Sequence, residues 1–97
     1  MSSQKITIQS TNNKNILKFV STQILINGGS YEYNNIDDAK NSPLAQQLFY
    51  LPFVKKVFIT ANFIAIQRFD IVEWSDVQEE VREQIEAYLQ AGNIAVK

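Results

Sequence analysis

Ser42 to Phe69, SPLAQQLFYLPFVKKVFITANFIAIQRF, holds most of the large apolar side chains and decides the architecture. Ser42 is a favoured N-cap. Pro43 suits the first helical position, where its fixed φ is already helical and its missing N–H is not needed. Leu44, Ala45, Leu48, Phe49 and Leu51 recur at helical spacing and leave Gln46 and Gln47 outward. Pro52 cannot continue the helix and biases Leu51 away from αR, so the helix is expected to stop there. Val54, Val57, Phe58 and Ile59 are mirrored by Phe63, Ile64, Ala65, Ile66 and Phe69 across a break at Ala61-Asn62. This pattern predicts a β-hairpin, although Ala-Asn is a weaker turn pair than Asn-Gly. Both strands are apolar at consecutive as well as alternate positions. Such strands are covered on both faces or present one sticky face to a partner.

Outward from that stretch, Lys5 to Ser10 (KITIQS) alternates as a first strand, and Ile16 to Val20 (ILKFV) as a second. The polar turn Thr11 to Asn15 between them tolerates αL, and the two strands are close enough to pair antiparallel. Asn27-Gly28-Gly29 is a good turn before a third strand at Ser30 to Tyr33. Ile36 to Asn41 (IDDAKN) reads as a polar helical turn. Trp74 stands directly before a second helix, for which Ser75 and Gln78 have the capping-box spacing. Val77, Val81, Ile85, Tyr88 and Leu89 make its apolar stripe, opposite Glu79, Arg82, Glu83, Glu86 and Gln90. Gly92 is placed to end it, and Asn93 to Lys97 form a tail that docks, frays or leads onward. The expected fold is α+β: an antiparallel sheet of four to five strands, in the order β-β-β-α-β-β-α, with two helices packed on one face.

Composition narrows the chemistry. Residues 1–97 are read as a single domain, long enough for one core. Net charge is −1, which gives no overall electrostatic footprint for nucleic acid or an anionic membrane. No apolar run approaches the roughly 18–20 residues that span a bilayer. The first ten residues lack the apolar core of a signal peptide, so a cytoplasmic location is expected. The sequence contains no cysteine and no histidine. Thiolate and imidazole ligands for zinc or iron–sulfur clusters are therefore missing, as are Cys–His and Ser–His nucleophile pairs. That argues against an enzyme.

The remaining constellations have ordinary explanations. Asp37-Asp38, with Asp70, Glu73 and Asp76 elsewhere, lacks the spacing of a hard-metal loop and reads as charge favoured near a helix start. The acidic stripe of the last helix reads as a solvated face with one or two ion pairs. Lys55, Lys56 and Arg68 beside Phe58, Phe63 and Phe69 resemble a single-strand nucleic-acid platform, but three positive charges are few. Charge that guards an edge strand is the expected role. Trp74 is expected to plug the helix start.

In order and spacing, these segments resemble the N-terminal domain of the Nfu/NifU-like iron–sulfur scaffold proteins. Thr11-Asn12-Asn13-Lys14-Asn15-Ile16-Leu17-Lys18-Phe19 stands where the family has Thr-Pro-Asn-Pro-Asn-x-Leu/Met-Lys-Phe. Ser42, Pro43, Leu44, Ala45, Leu48 and Phe49 match its Ser-Pro-Leu-Ala-x-x-Leu-Phe. Phe53-Val54-Lys55-Lys56-Val57-Phe58 matches its Gly-Val-x-x-Val-Phe, and Asn62 to Ile66 its Asp/Asn-Phe-Ile-x-Val. Trp74 matches the tryptophan before its final helix. Asn12 and Lys14 replace the family's two prolines, and Phe53 its glycine.

The resemblance implies an accessory or interaction domain in iron–sulfur cluster assembly or delivery that does not itself ligate a cluster. The family's cluster-binding Cys-x-x-Cys belongs to a separate C-terminal domain that these 97 residues do not contain. Cluster-assembly or recipient proteins, or such a C-terminal domain, are the implied partners, with no nucleic acid or membrane. No residue is assigned to catalysis, cofactor or metal. Leu44, Leu48, Phe49, Val57, Phe58, Ile64 and Trp74 are expected in the core. The candidate partner surface is the first loop with the hairpin tip: Asn12, Asn13, Asn15, Lys18, Asn62 and Phe63. The alternative is a stand-alone domain that binds a small ligand or a hard metal such as iron through carboxylates.

Overall fold

A computed structural model describes residues 5–97. The elements are β1 (Ile6–Ser10), β2 (Ile16–Ser21), β3 (Ser30–Tyr33), a 3-10 turn (Ile36–Ala39), α1 (Pro43–Phe49), β4 (Val54–Thr60), β5 (Phe63–Arg68) and α2 (Trp74–Gln90). The order matches the expected α+β arrangement. The alternation of Lys5 to Ser10 becomes β1 from Ile6 onward, and residues 1–4 lie outside the described residues.

The strands form one antiparallel sheet in the order β1-β2-β5-β4-β3. Pairing of β2 with β5 joins the N-terminal hairpin to the central one, and the chain between β2 and β3 carries the third strand to the far edge. Strand period then sorts the side chains. Ile6, Leu17, Phe19, Tyr33, Val57, Ile59, Ile64 and Ile66 are buried on one face, against Leu44, Ala45 and Leu48 of α1 and Trp74, Val81, Ile85 and Leu89 of α2. A β-bulge between Val54 and Lys56 puts Val54 and Val57 on the same face although they are three apart.

Several boundaries follow the sequence. Ser42 caps α1, its Oγ accepting from the Ala45 N–H at 3.0 Å, with Pro43 first in the helix. Gly92 closes α2 at a φ of 89°. Residues 36–41 begin with the 3-10 turn, which Asn35 caps through the Asp38 N–H.

Other expectations are corrected. α1 ends at Phe49, and Leu51 lies beyond it in a turn whose N–H donates to the Leu48 carbonyl. α2 begins at Trp74, with Glu73 as an N-cap that makes no side-chain bond, so the Ser75/Gln78 capping box does not form. Burial of the indole moves that start. Trp74 packs edge-on to Phe19 and Phe53, and its Nε1–H donates to the Asn15 carbonyl at 3.0 Å. The tail docks: Ala95 is buried, its carbonyl receives the Ser42 hydroxyl at 2.7 Å, and the Lys97 N–H donates to the Asn41 carbonyl.

Arg68 is no part of a basic edge. It is 3% exposed, and its Nη1 donates to Asp70 Oδ1 and to the Val72 carbonyl, which holds the segment leading into α2. β4 lies between β5 and β3, but β3 pairs only with Val57 to Thr60, so Lys55 and Lys56 stand just past that pairing, where Lys56 reaches Glu32. Phe58 leaves the core, since Val57 and Ile59 on either side face the helices, and Phe49 is half-buried against the core. On α2, Arg82 bonds Glu79 and Glu86, while Glu86 also accepts the Ile6 N–H at 3.0 Å. Glu86 therefore ties the helix to edge strand β1 and is more than a solvated charge.

Candidate functional site

The six candidate residues fall into two groups. Asn12, Asn13 and Asn15 lie in the loop before β2, whereas Asn62 lies in the turn beside its far end, where the Ser21 N–H donates to the Asn62 carbonyl at 2.7 Å. The strand between them is six residues long, so loop and turn stand roughly 17 Å apart.

The first loop is largely occupied with its own structure. Asn13 Oδ1 accepts the Asn15 N–H at 2.9 Å, and the Asn13 carbonyl accepts the Ile16 N–H. This is the turn chemistry that short polar side chains supply. The Asn15 backbone carbonyl accepts both the Arg68 N–H and the Trp74 indole, while the buried side-chain Oδ1 has no partner among the described residues. Asn12 is exposed. Asn13 and Asn15 thus build the loop on which α2 starts.

Lys18 and Phe63 come together in the second group. They belong to the sheet face that no helix covers, and Lys18 Nζ sits 4.3 Å from the Phe63 ring centroid. Phe63 also meets Phe58 at 6.4 Å between centroids. Ile16, Val20 and Ala65 are half-buried around them, and Lys56 pairs with Glu32 at 3.1 Å. The register runs Gln9–Lys18–Ala65–Phe58–Glu32 across all five strands. Sequence reasoning named Lys18 and Phe63 for the partner surface and set Lys56 and Phe58 beside Phe63 in a separate basic-aromatic cluster, but it did not join the two and missed Ile16 and Val20. The missing signal was the period-two count from Val57 and Ile64, which places every second neighbour on this face.

Carboxylates do not converge. Among the described residues, no three His, Cys, Asp or Glu side chains are grouped to hold a metal ion. Asp70 and Glu73 stand beside Arg68, at 3.1 and 3.8 Å. A chain without thiol or imidazole also lacks the donors an iron–sulfur cluster takes from protein, so these residues do not fit one.

Among the described residues, no helix is long and apolar enough to cross a membrane. Against proteins of known sequence, the chain is 39% identical over 77 residues to a Drosophila erecta protein named "NFU1 iron-sulfur cluster scaffold homolog, mitochondrial". It is 30% identical over 76 residues to "NifU-like protein 4, mitochondrial" of Arabidopsis thaliana. Each match covers 78% of this chain and 27% of the relative, so the chain spans about a quarter of the length of these proteins. Among solved structures, a NifU-like protein from Saccharomyces cerevisiae aligns with a TM-score of 0.81 and 29% identity, covering 95% of this chain and 83% of that one. Protein SAV1430 of Staphylococcus aureus shares the fold, with a TM-score of 0.71 at 24% identity, covering 84% of this chain and 99% of that one. Residues 6–92 match the family described as "Scaffold protein Nfu/NifU N terminal", and the chain belongs to that family.

Proposed function

We propose that this domain is the protein-contacting, accessory part of an iron–sulfur cluster scaffold or carrier, with the cluster ligated by another domain or by a partner. One observation carries the reading: a member of a scaffold family whose 97 residues hold neither cysteine nor histidine. The donors left are oxygen and nitrogen atoms ill-suited to iron–sulfide chemistry. The domain therefore acts through its surface and runs no reaction of its own. Its partners are cluster-assembly or cluster-receiving proteins, or a cluster-binding domain. The compartment is cytoplasmic or, as the names of the relatives read, mitochondrial.

The test is affinity capture by the tagged chain, with bound proteins identified by mass spectrometry. Enrichment of iron–sulfur assembly or recipient proteins over a control domain is expected. Failure to enrich any of them overturns the reading. So does a purified chain that develops stable iron–sulfide absorption when given ferrous iron and sulfide.

A further inference from the structure

We propose that the uncovered face of the sheet is a docking platform for an acidic polypeptide segment that seats an apolar side chain between Phe58 and Phe63. This rests on the interaction-domain reading and says which face does the work and what chemistry it recognises.

The chain is almost neutral, yet its charges are segregated. Lys18 and Lys56 project from the uncovered face, with Lys5 and Lys55 exposed at its margins. Its one acidic residue, Glu32, is already paired with Lys56. Asp37 and Asp38 belong to the 3-10 turn, Asp70 and Glu73 to Arg68, and Asp76, Glu79, Glu80, Glu83 and Glu86 to α2. A face with four lysines and one neutralised carboxylate faces away from the acidic helix. Its potential favours an anionic partner.

The centre of that face is apolar. Phe58, Phe63, Ala65, Val20 and Ile16 are half-buried there, and among the described residues no helix packs over them. An apolar centre ringed by charge is the layout of a recognition patch. Lys18 rests on the Phe63 ring, both side chains half-buried, in a contact that an incoming carboxylate can replace.

Sheet-to-sheet pairing of two copies sets lysine against lysine and is disfavoured. A single-stranded nucleic acid is also a poorer fit. Base stacking needs open ring faces, whereas Phe58 and Phe63 are half-buried and tilted 39° to one another, and the Lys18 ammonium covers Phe63.

The experiment is an amide-shift titration of the isotope-labelled chain with three probes. They are an acidic hexapeptide, Glu-Asp-Leu-Phe-Asp-Glu, its charge-inverted counterpart, Lys-Lys-Leu-Phe-Lys-Lys, and a single-stranded oligothymidylate. The acidic peptide is expected to move Lys18, Val20, Phe58, Phe63 and Ala65. Its affinity should fall several-fold between about 20 mM and about 200 mM salt. Paired Lys18→Glu and Lys56→Glu changes should weaken it about tenfold or more while the remaining spectrum keeps its dispersion.

Overturning results are no shift with the acidic peptide, shifts on another surface, equal shifts with the inverted peptide, or stronger ones with the oligothymidylate. Concentration-dependent shifts of these residues without any probe would assign the face to a second copy and overturn it as well. The same double variant separates this proposal from the reading beneath it. If the variant still captures iron–sulfur proteins as the parent does, the platform is wrong and the interaction role stands. If the parent captures none, the role itself falls.

Discussion

The Ser42 hydroxyl joins the start of α1 to the end of the chain: its Oγ donates to the Ala95 carbonyl at 2.7 Å while accepting the Ala45 N–H at 3.0 Å. Ser42 is fully buried, so no water replaces either bond. Ser42→Ala removes a cap worth about 1 kcal/mol and strands a buried carbonyl at a cost of about 1–3 kcal/mol. A loss of about 2–4 kcal/mol is expected, a fall in Tm on the order of 10–20 °C for a domain of this size. Hydrogen exchange at the Lys97 amide, bonded to Asn41, should accelerate with it. A Tm unchanged in calorimetry would mean the tail is not held through Ser42.

Trp74 works as a side-chain bridge between the first loop and the core. Its ring meets Phe19 and Phe53 at 5.8 and 6.1 Å between centroids. Trp74→Ala should cost about 3–5 kcal/mol, the range for emptying a large aromatic site. Trp74→Phe keeps much of the packing and loses the bond to the Asn15 carbonyl, for about 1–2 kcal/mol. Because it is the only tryptophan, its fluorescence reports the site directly. Blue-shifted emission in the native chain and a red shift on unfolding are expected, and native emission at the solvent-exposed wavelength would contradict the packing.

Local punctuation was legible in the sequence, and long-range consequences were not. Ser42, Pro43 and Gly92 mark ends of elements through backbone chemistry that acts within one turn, so they read correctly. The pairing of β2 with β5 is set by which faces share a core and leaves no local mark. Arg68 is polar by composition but buried by position, since it continues the inward row of Ile64 and Ile66. The Ser75/Gln78 pattern gave way because seating the indole of Trp74 is worth more than one exposed cap. In the candidate surface, Lys18 came with the first loop and Phe63 with the hairpin tip, and only the β2–β5 pairing sets them side by side. Asn13 and Asn15 were drawn in by polarity that serves the loop's own turn.

Ala61 carries a φ of 33° in the β4–β5 turn, the one non-glycine residue with positive φ among those described. An L-residue there is strained by roughly 1–2 kcal/mol. Glycine escapes that strain but adds about 0.5–1 kcal/mol of unfolded-state entropy. Ala61→Gly should therefore stabilise the chain by up to about 1 kcal/mol, whereas Ala61→Val should destabilise it. Denaturant midpoints decide the matter, and a clear loss on Ala61→Gly would place the turn in another conformation.

Two tyrosines set the alkaline limit. Burial raises the Tyr33 hydroxyl above the usual tyrosine value, although its hydrogen bonds, including the one to Asn41 Oδ1, work the other way. Burial likewise raises Tyr88, whose hydroxyl donates to the Ile94 carbonyl. The unfolded chain therefore releases these protons at lower pH than the folded one. Their contribution is complete below about pH 10 and is lost as pH climbs through the folded values. Stability should fall above about pH 10, and less steeply in Tyr33→Phe. A flat profile to higher pH would remove the linkage.

Arg68 tests whether a buried cation here stabilises by charge or by shape. Its partners Asp70 and Glu73 are 78% and 73% exposed, so solvent screens both pairs and each contributes little. The bond to the Val72 carbonyl and the buried methylene stem remain. Against them stands Nε, a buried donor without a partner among the described residues, which costs stability. Arg68→Met preserves the stem and removes both the bond and the orphaned donor, so a loss of about 1–3 kcal/mol is expected. Arg68→Ala opens a void as well and should cost more. Neutralising the partners by Asp70→Asn or Glu73→Gln should change stability by less than about 1 kcal/mol, and added salt should have as little effect. A steep salt dependence, or Arg68→Met faring worse than Arg68→Ala, would mean that the ion pairs and not the packed stem hold residues 69–73 in place.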